Sequence, residues 1–289
     1  MPVELITSPD DPRLEPYRNV RQTNLTRWSG LFIAEGWRVV RRLLASEYAV
    51  ESVLISDRRH EAVLGEMSPE WADRTEVLIV PQALAEDLVG YNFHAGVLAC
   101  GRRFEPFTVA ETLAVCRHSN TVVACPRITS PDNLGSILRI SAALGIDAVL
   151  LGRGSCDPFS RRVLRVSMGA GFTLPIAESP TLLEDLSIAR DESHWQLIAA
   201  AIDDRAEPLA EAMRPPRIVL VLGNEAEGIS DDWLAACDRQ VMIPMASAVD
   251  SLNVAVAAGV MLHHFLWMAP VAPHRPGAMH DSGSDVDEN

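Results

Sequence analysis

Two short apolar runs in the last third of the sequence, each followed by a polar loop, constrain the fold most strongly. The first run, Ile218–Leu222, ends at Gly223–Ser230, an acidic loop bracketed by glycines. The second, Gln240–Pro244, leads to Ser251–Asn253 and then to an Ala/Val/Met/Leu-rich helix. A buried strand followed by a glycine-bracketed loop can bring backbone close to a ligand. Ordinary connections in an α/β protein explain the same pattern, so both interpretations stay open at this point.

Further apolar runs separated by helical patterns indicate a parallel sheet. Thr121–Cys125 and Ala148–Leu151 are strand candidates, and Leu134–Gly145 between them is a helix candidate with Asp132 or Asn133 as its predicted N-cap. The connection in such a βαβ unit is right-handed. We therefore predict an α/β fold whose parallel sheet carries helices on both faces. Later candidates are a helix at Arg161–Gly169 and strands at Trp195–Ile202 and Ile218–Leu222.

Residues 1–106 are predicted to form a smaller α/β domain ahead of the second domain, 107–268. Arg13–Trp28 is polar and Arg-rich, which predicts an exposed helix, and Trp37–Ser46 has apolar residues at helical spacing. The residues from 269 to 289 are rich in proline and acidic side chains and are predicted to be a disordered tail. The remaining candidates of the first domain are strands at Val53–Ile55, Val77–Val80 and Gly96–Cys100 and helices at His60–Glu66 and Gln82–Val89.

The composition excludes several broad classes of protein. The chain of 289 residues is 48% hydrophobic and 22% charged, as ordinary globular proteins are. No apolar stretch approaches the ~18 residues of a membrane helix, and the first residues do not resemble a secretory signal. We therefore expect a cytoplasmic protein without membrane association. Its five cysteines have no metal-ligand spacing and are predicted to be reduced and mostly buried, so no metal is expected.

The strongly acidic balance of the chain limits its partners. A net charge of −14 argues against indiscriminate binding of polyanions. All 25 basic residues are arginines, which genome composition explains, although arginine also suits bidentate phosphate contacts. Contact with nucleic acid would therefore use local basic groups. Three such groups are Arg18, Arg21 and Arg27; Arg38, Arg41 and Arg42; and Arg161, Arg162 and Arg165.

Two common nucleotide-binding motifs are absent from the sequence. The first strand-to-helix turn of the second domain contains Asn133–Ser136 instead of a GxGxxG fingerprint, and a lysine-free chain has no Walker lysine. Three separated clusters hold the unusual polar residues instead. Taken singly, Asn133 and Ser251 are explained as helix caps and Arg139 as a solvated arginine. The clusters are Asn133, Gly135 and Arg139; Glu225 with Gly223 and Gly228; and Ser251 with Asn253.

Together the clusters resemble the three motifs of the SpoU-type (TrmH-like) RNA ribose methyltransferases of the SPOUT superfamily. Order, spacing and residue type agree through Pro131–Arg139, Leu222–Gly228, Ile243–Met245 and Ser251–Ala257. One departure is Ala255, where many relatives carry a second serine, and we expect it to have a minor effect. The segment Phe32–Gly36 is similar to part of a ribosomal-protein-like RNA-binding domain that is often fused ahead of this catalytic domain.

The resemblance implies a deep trefoil knot in the second domain, S-adenosylmethionine as cofactor, and a homodimer with its active site near the subunit interface. Residue patterns alone would not predict a threaded chain, since knots are very rare. The cofactor contacts that the resemblance implies are Leu222, Gly223, Gly228, Ile243, Met245 and Leu252. The catalytic residues that it implies are Asn133, Arg139, Glu225, Ser251 and Asn253.

Methyl transfer requires a ribose 2′-hydroxyl, a poor nucleophile, to be positioned and to lose its proton. Arginine normally stays protonated, which makes Arg139 a natural phosphate clamp. The resemblance implies instead that this arginine handles the hydroxyl proton, and in either role Arg139 is expected to be essential. Asn133 and Asn253 are expected to position the ribose or the arginine. Glu225 is expected to fix Asn133, Arg139 or the motif loop electrostatically, and Ser251 to contribute a hydroxyl near the transfer site.

We therefore predict a dimeric, S-adenosylmethionine-dependent RNA 2′-O-ribose methyltransferase. The extra first domain favours ribosomal RNA by analogy, with transfer RNA as the alternative. Arg21, Arg27 and Arg165 are predicted to belong to its RNA track. A non-catalytic RNA-binding or ribosome-assembly protein with the same fold is the rival hypothesis, and a nucleotide-binding oxidoreductase lacks its glycine fingerprint.

Overall fold

Two β-sheets form the framework of the computed structural model, which describes residues 3–20, 29–203, 205–246 and 251–271. The first sheet contains β1 (Val3–Leu5), β2 (Leu31–Glu35), β3 (Val50–Ser56), β4 (Glu76–Val80) and β5 (Val97–Arg102). The second contains β6 (Thr121–Cys125), β7 (Ala148–Gly152), β8 (Ile176–Ser179), β9 (Gln196–Ala200), β10 (Glu207–Pro208), β11 (Ile218–Val221) and β12 (Arg239–Met242). The α-helices are α1 (Trp37–Leu44), α2 (His60–Glu66), α3 (Pro69–Arg74), α4 (Gln82–Val89), α5 (Val109–Val115), α6 (Pro131–Leu144), α7 (Arg161–Val166), α8 (Leu182–Ser193), α9 (Asp231–Ala236) and α10 (Val254–His263).

The first sheet mixes parallel and antiparallel strands. Its order is β1-β4-β3-β5-β2, in which β1, β4 and β3 run parallel and β5 is antiparallel to both of its neighbours. The three predicted strands form the centre of this sheet as β3, β4 and β5, and the two predicted helices are α2 and α4. The alternating α/β pattern is therefore confirmed, with β1, β2 and α3 as elements that the sequence analysis did not assign.

The predicted exposed helix over Arg13–Trp28 is wrong for the residues that the structure describes. Pro12–Tyr17 forms a 3-10 helix that contains two prolines, a residue type that disfavours a longer α-helix. Leu14 and Tyr17, three residues apart on the same side of this turn, are fully buried. The Tyr17 hydroxyl donates to the Ser52 carbonyl at 2.9 Å, which ties the turn to the sheet.

The strands of the second sheet all run parallel, in the order β10-β12-β9-β11-β6-β7-β8. Successive residues face opposite sides of it. Val123 and Leu220 belong to the hydrophobic core shared with α6 and α10, whereas Val122 and Val219 belong to the core shared with α5 and α8. The prediction of a parallel sheet with helices on both faces is therefore confirmed.

Helix α6 begins earlier than the sequence indicated, so the predicted N-cap at Asp132 or Asn133 is wrong. The Ser130 hydroxyl accepts from the Asn133 backbone N–H at 3.4 Å, and Pro131, which has no N–H, occupies the first helical position. The helix ends at Gly145, whose φ of 72° suits glycine. Because Ser130 supplies the cap, the Asn133 side chain is available for other contacts.

Aromatic side chains pack together where the two sheets meet. The ring of Phe32, on β2, lies 5.2 Å from that of Phe159 and 5.6 Å from that of Phe172 between centroids. Beside them the buried carboxylate of Glu35 lies 3.2 Å from Arg161 of α7. The edge of the first sheet is thus packed against α7 through a shared hydrophobic cluster.

The division near residue 106 stays a prediction, as does the tail from residue 269 onward. Strand β5 ends at Arg102 and α5 begins at Val109, so the predicted boundary falls between regular elements. Residues 272–289, most of the predicted tail, lie outside the described residues. Among the residues that are described, no helix is long and apolar enough to cross a membrane.

Candidate active site

A cleft of about 590 Å³ opens at the carboxyl edge of the second sheet. The loops after β11 and β12 and the segment before α10 form its walls, as expected where parallel strands end side by side. All six residues that the resemblance assigned to the cofactor line it: Leu222, Gly223, Gly228, Ile243, Met245 and Leu252. Four predicted catalytic residues also line it: Asn133, Glu225, Ser251 and Asn253.

The loop after β11 is a tight hairpin held by its own polar groups. Asn224 and Gly228 exchange backbone hydrogen bonds at 2.8 and 2.9 Å. The side-chain oxygen of Asn224 also accepts from the N–H groups of Ala226 and Glu227. A Cβ atom on Gly223 would lie 2.6 Å from the Gly228 carbonyl carbon, and Gly228 itself has a φ of 70°. Backbone geometry therefore requires glycine at the first position and favours it at the second.

The Glu225 carboxylate joins this hairpin to the start of α6. One oxygen accepts from the Ser130 N–H at 3.0 Å and from the Asn133 side-chain amide at 3.1 Å. The other accepts from the N–H and the hydroxyl of Thr129, each at 3.3 Å. Burial alone would raise the pKa of Glu225, but the hydrogen bonds donated to it hold the pKa below its ordinary value. The ionised carboxylate therefore fixes the two loops relative to each other.

A second hydrogen bond extends this connection to α10. The Asn253 side-chain oxygen caps α10 by accepting from the N–H groups of Ala255 and Val256. Its amide nitrogen therefore faces away from the helix and donates to the side-chain oxygen of Asn133 at 2.9 Å. That contact in turn directs the Asn133 nitrogen to Glu225. One chain of hydrogen bonds thus joins all three polar clusters.

Replacing Glu225 by glutamine should destabilise the protein by about 1–2 kcal/mol at neutral pH, because an NH₂ group would face hydrogen-bond donors. The folded-state pKa of Glu225 is lowered, so its contribution is complete above the ordinary value of 4.5 and is lost as pH falls through the lowered pKa. The difference in thermal stability between the two proteins should therefore shrink in acid. Thermal denaturation across the acid range measures it.

Glu227→Gln provides the matched control, since Glu227 lies on the same hairpin but pairs only with the exposed Arg127 among the described residues. It should change the thermal stability little at any pH. A stability difference for Glu225→Gln that did not depend on pH would contradict the role of its carboxylate.

The side chains of Arg139 and Ser251 take no part in this series of hydrogen bonds. Arg139 is exposed on α6, about 9 Å along the helix axis from Asn133, and does not line the cleft. It makes no ion pair or hydrogen bond with any residue in the described part of the chain. Ser251 is exposed at the cleft and is not the cap of α10, because Asn253 has that position. Both side chains are available to a bound substrate.

Gly135, from the first cluster, has a packing role. A Cβ atom there would lie 2.7 Å from the Cβ of Val166 and 3.1 Å from the carbonyl oxygen of Val163. Helix α6 therefore lies against α7 at a distance that only glycine allows.

The predicted RNA contacts stay predictions. Arg21 and Arg27 lie outside the described residues. Arg165 lies on α7 with about half of its side chain exposed, and its guanidinium is 3.7 Å from Glu35. It therefore lies where the two sheets meet and not in the cleft.

One wall of the cleft was not assigned from the sequence. Strand β9 lies between β12 and β11, so the residues that follow it reach the same edge. Predicting this wall requires the order of strands in the sheet, which local sequence patterns do not reveal. Its residues are Ala200 at the end of β9, Ala201, Ile202 and Asp203 after it, Gln240 on β12, Leu234 on α9, and Val254, Ala257 and Met261 on α10.

The thiols lack the low pKa of a nucleophile. Burial raises the pKa of Cys100, Cys116 and Cys237 to about 12 and that of Cys156 to about 11. All five cysteines are free, and Cys125 is fully buried. In the part of the chain that the structure describes, no group of three or more His, Cys, Asp or Glu side chains is placed to hold a metal ion.

Comparison with known proteins identifies a matching family and relatives that match most of the chain. A sequence model described as the SpoU rRNA Methylase family matches residues 120–263, which include all three clusters. An uncharacterized tRNA/rRNA methyltransferase of Mycobacterium bovis is 34% identical over 272 residues, 90% of this chain and 91% of the relative. The 23S rRNA (guanosine(2553)-2′-O)-methyltransferase RlmP of Bacillus subtilis is 24% identical over 268 residues, 90% of this chain and 98% of its own.

The fold is shared with solved structures over nearly the whole chain. The crystal structure of an AdoMet-bound rRNA methyltransferase from Sinorhizobium meliloti superposes with a TM-score of 0.75 at 25% identity. The superposition covers 91% of this chain and 97% of that one, and therefore includes both sheets.

Proposed function

This chain belongs to the SpoU rRNA methylase family, and we propose that it transfers the methyl group of S-adenosylmethionine to a ribose 2′-hydroxyl of ribosomal RNA. The B. subtilis relative is named for this reaction on 23S rRNA, and the S. meliloti relative was solved with AdoMet bound. One observation carries the proposal to this chain. Polar residues up to 120 positions apart are joined by hydrogen bonds at one cleft.

The cleft fits S-adenosylmethionine in size and chemistry. Its volume lies in the range of ~300–1,000 Å³ that small-molecule sites have. Leu222, Ile243 and Leu252 provide apolar walls for an adenine ring, and the glycine hairpin provides backbone groups. A Cβ atom on Gly228 would meet nothing within 4 Å, so that turn is open to a ligand. When bound, the cofactor supplies an electrophilic methyl group. We assign its contacts to Leu222, Gly223, Gly228, Ile243, Met245 and Leu252.

The other site residues hold the acceptor ribose. Arg139, exposed beside the cleft, is the catalytic residue that contacts the 2′-hydroxyl or its neighbouring phosphate. Asn133 and Asn253 offer amide groups at the cleft, and Ser251 offers a hydroxyl there. Glu225 is a positioning residue, since its oxygens are occupied by Thr129, Ser130 and Asn133.

Family membership also implies that the C-terminal segment is threaded into a trefoil knot. The contacts that support this proposal are those of α10, which packs on α6 and is joined to it by the hydrogen bond between Asn253 and Asn133. The hairpin after β11 contacts the same end of α6 through Glu225. The segments that would form the knot are therefore the same ones that form the cleft.

Transfer of labelled methyl from S-adenosylmethionine to unmodified ribosomal RNA, with transfer RNA in parallel, tests the function. We expect label in ribosomal RNA at a site that resists alkaline cleavage, because 2′-O-methylation blocks attack on the adjacent phosphate. Label in transfer RNA alone would select the alternative substrate. Cofactor binding without label in either pool would favour the rival non-catalytic RNA-binding or ribosome-assembly protein, and no cofactor binding would refute the enzyme.

We further propose that residues 1–106 select the RNA. Deleting them would uncover Phe159, Leu164 and Phe172, which pack in a cluster with the first sheet. Exchanging the domain for that of a relative, with these contacts retained, is therefore the cleaner test. The modified nucleotide should be the one that the donor of the first domain modifies, and a site set by residues 107–268 would contradict the proposal.

Because the substrate is ribosomal RNA, we place the protein in the cytoplasm.

We propose that the protein forms a homodimer through an apolar stripe on α10. Val256 and Val260, one turn apart, are 52% and 41% exposed, and Trp267 beyond them is 58% exposed. Val256→Asp should lower the molar mass measured by light scattering from that of a dimer to that of a monomer, because the charge would be buried in the interface. Methyl transfer should fall with it.

Ile188→Asp is the matched control, since Ile188 is 56% exposed on α8, on the opposite face of the second sheet. It should leave the molar mass unchanged. A wild-type protein that is monomeric at micromolar concentration, or a Val256→Asp variant that stays dimeric, would overturn the use of this stripe.

A further inference from the structure

Two short helices carry arginines and no acidic residue. Their apolar residues, among them Val39 and Leu43 on α1 and Leu164 on α7, are buried, which turns the arginines outward. Five of the six arginines are exposed, and Arg161 is half-buried. We call these six residues the arginine strip: Arg38, Arg41 and Arg42 on α1, and Arg161, Arg162 and Arg165 on α7.

The two halves of the strip meet through the segment that follows α7. The Arg42 guanidinium donates to the carbonyl oxygen of Met168, two residues after α7 ends, at 2.5 Å. Glu35, at the end of β2 and two residues before α1 begins, pairs with both Arg161 and Arg165. The strip therefore has arginines on both sides of the junction of the two sheets.

The strip leads to the start of α6. Arg162 forms two hydrogen bonds with the carboxylate of Asp132, at 2.8 and 2.9 Å. Asp132 precedes Asn133, which lines the cleft, and Arg139 follows Asp132 by about two helical turns on the same side of α6. A chain that followed the strip would thus arrive at Arg139 beside the cleft.

The charge of the strip is only partly compensated. Glu35 is buried and pairs with two of its arginines, and Asp132 pairs with a third. Glu66 approaches the beginning of α1 by accepting from the Trp37 indole. Arg38 and Arg41 form no ion pair with any other described residue. On a chain with a net charge of −14, this local excess of positive charge needs an explanation.

We propose that the arginine strip is the track for the RNA backbone, binding consecutive phosphates from the first domain to Arg139. This proposal rests on the proposed function and deepens it, by adding Arg38, Arg41, Arg42 and Arg162 to the substrate site. Arginine suits this role because its planar fork binds phosphate oxygens in pairs. Overall acidity repels nucleic acid elsewhere on the surface, so the strip fixes the direction of approach.

Arg38→Gln/Arg41→Gln tests the track, because neither side chain has an internal partner whose loss would disturb folding. Binding of an unmodified 23S ribosomal RNA transcript is measured by fluorescence anisotropy over a series of KCl concentrations. Each lost phosphate contact lowers the slope of log K against log salt by about 0.7–0.9, so the double variant should lose about 1.5. Affinity at low salt should fall about tenfold or more, and the Kd for S-adenosylmethionine should not change.

Arg117→Gln is the matched control, since Arg117 is exposed after α5, ahead of β6 and so at the opposite edge of the second sheet. It should keep the wild-type slope. If the wild-type protein is active and the double variant keeps the wild-type slope and affinity, the track is overturned and the proposed function still stands. The strip would then be a surface for an acidic protein. A wild-type protein that transfers no methyl, but whose RNA affinity depends on the strip, would support the track and refute the enzyme.

Discussion

Replacing Arg139 by alanine should lower kcat/KM for methyl transfer by about 100-fold or more, the size of effect that positioned proton-transfer and charge-stabilising groups have. The side chain is exposed on α6 and has no partner among the described residues, so its loss should not disturb the fold. It also lies outside the cleft lining, so the Kd for S-adenosylmethionine should stay unchanged. Initial rates, calorimetric titration of the cofactor and thermal denaturation measure the three quantities separately.

Two further variants decide what Arg139 contributes. Arg139→Lys keeps the charge but not the planar fork, so it should recover little activity if two oxygens must be held at once. Arg117→Ala, an exposed arginine far from the cleft, should behave as wild type. A full retention of activity in Arg139→Ala would remove this residue from the catalytic site. A wild-type protein without methyl-transfer activity would instead support the rival hypothesis of a non-catalytic RNA-binding protein.

Replacing Gly223 by alanine should strongly weaken cofactor binding. The new Cβ atom would lie 2.6 Å from one backbone atom of the facing strand of the hairpin and 2.8 Å from the next, and backbone cannot rotate aside as a side chain can. The hairpin would have to open, at a cost of about 1–3 kcal/mol in stability. Because this hairpin forms a wall of the cleft, we expect the affinity for S-adenosylmethionine to fall by about 100-fold, measured by calorimetric titration.

Gly228→Ala separates the steric effect from backbone strain. A Cβ atom at Gly228 would meet nothing within 4 Å, but its φ of 70° is unfavourable for alanine by about 1–2 kcal/mol. This variant should therefore lose stability while keeping more of the cofactor affinity than Gly223→Ala. Equal affinities for the two variants would show that close packing at Gly223 is not what maintains the cleft.

Strongly periodic elements were predictable from the sequence. The apolar runs that became β3, β4 and β6 and the repeating apolar residues of α1 contain the signal locally. The preferences of single residues indicated less clearly where each helix or strand begins and ends. Ser130 and Asn133 are both good cap residues, and Pro131 decided between them by taking the first helical position. Leu14 and Tyr17 were hidden in a polar segment because a 3-10 turn buries only every third side chain.

Contacts between distant elements were beyond the reach of such patterns. The resemblance predicted that Asn133, Glu225 and Asn253 act together, but not that the capping oxygen of Asn253 directs its amide to Asn133. Likewise, the arginine groups on α1 and α7 were visible as separate basic segments. That the two groups lie next to each other depends on the packing of β2 against α7, which is a property of the three-dimensional fold.

The hydrogen bond between Asn133 and Asn253 joins residues that are 120 positions apart, and this separation has a consequence for synthesis on the ribosome. At ~5–20 residues per second, about 6–24 s pass between the appearance of the two residues. Throughout that interval the start of α6 has no partner from α10. The cofactor therefore cannot guide the early folding of the nascent chain and can stabilise only molecules that have already closed the cleft. Its concentration in the cell should govern how long the finished protein survives, and not how fast it is made.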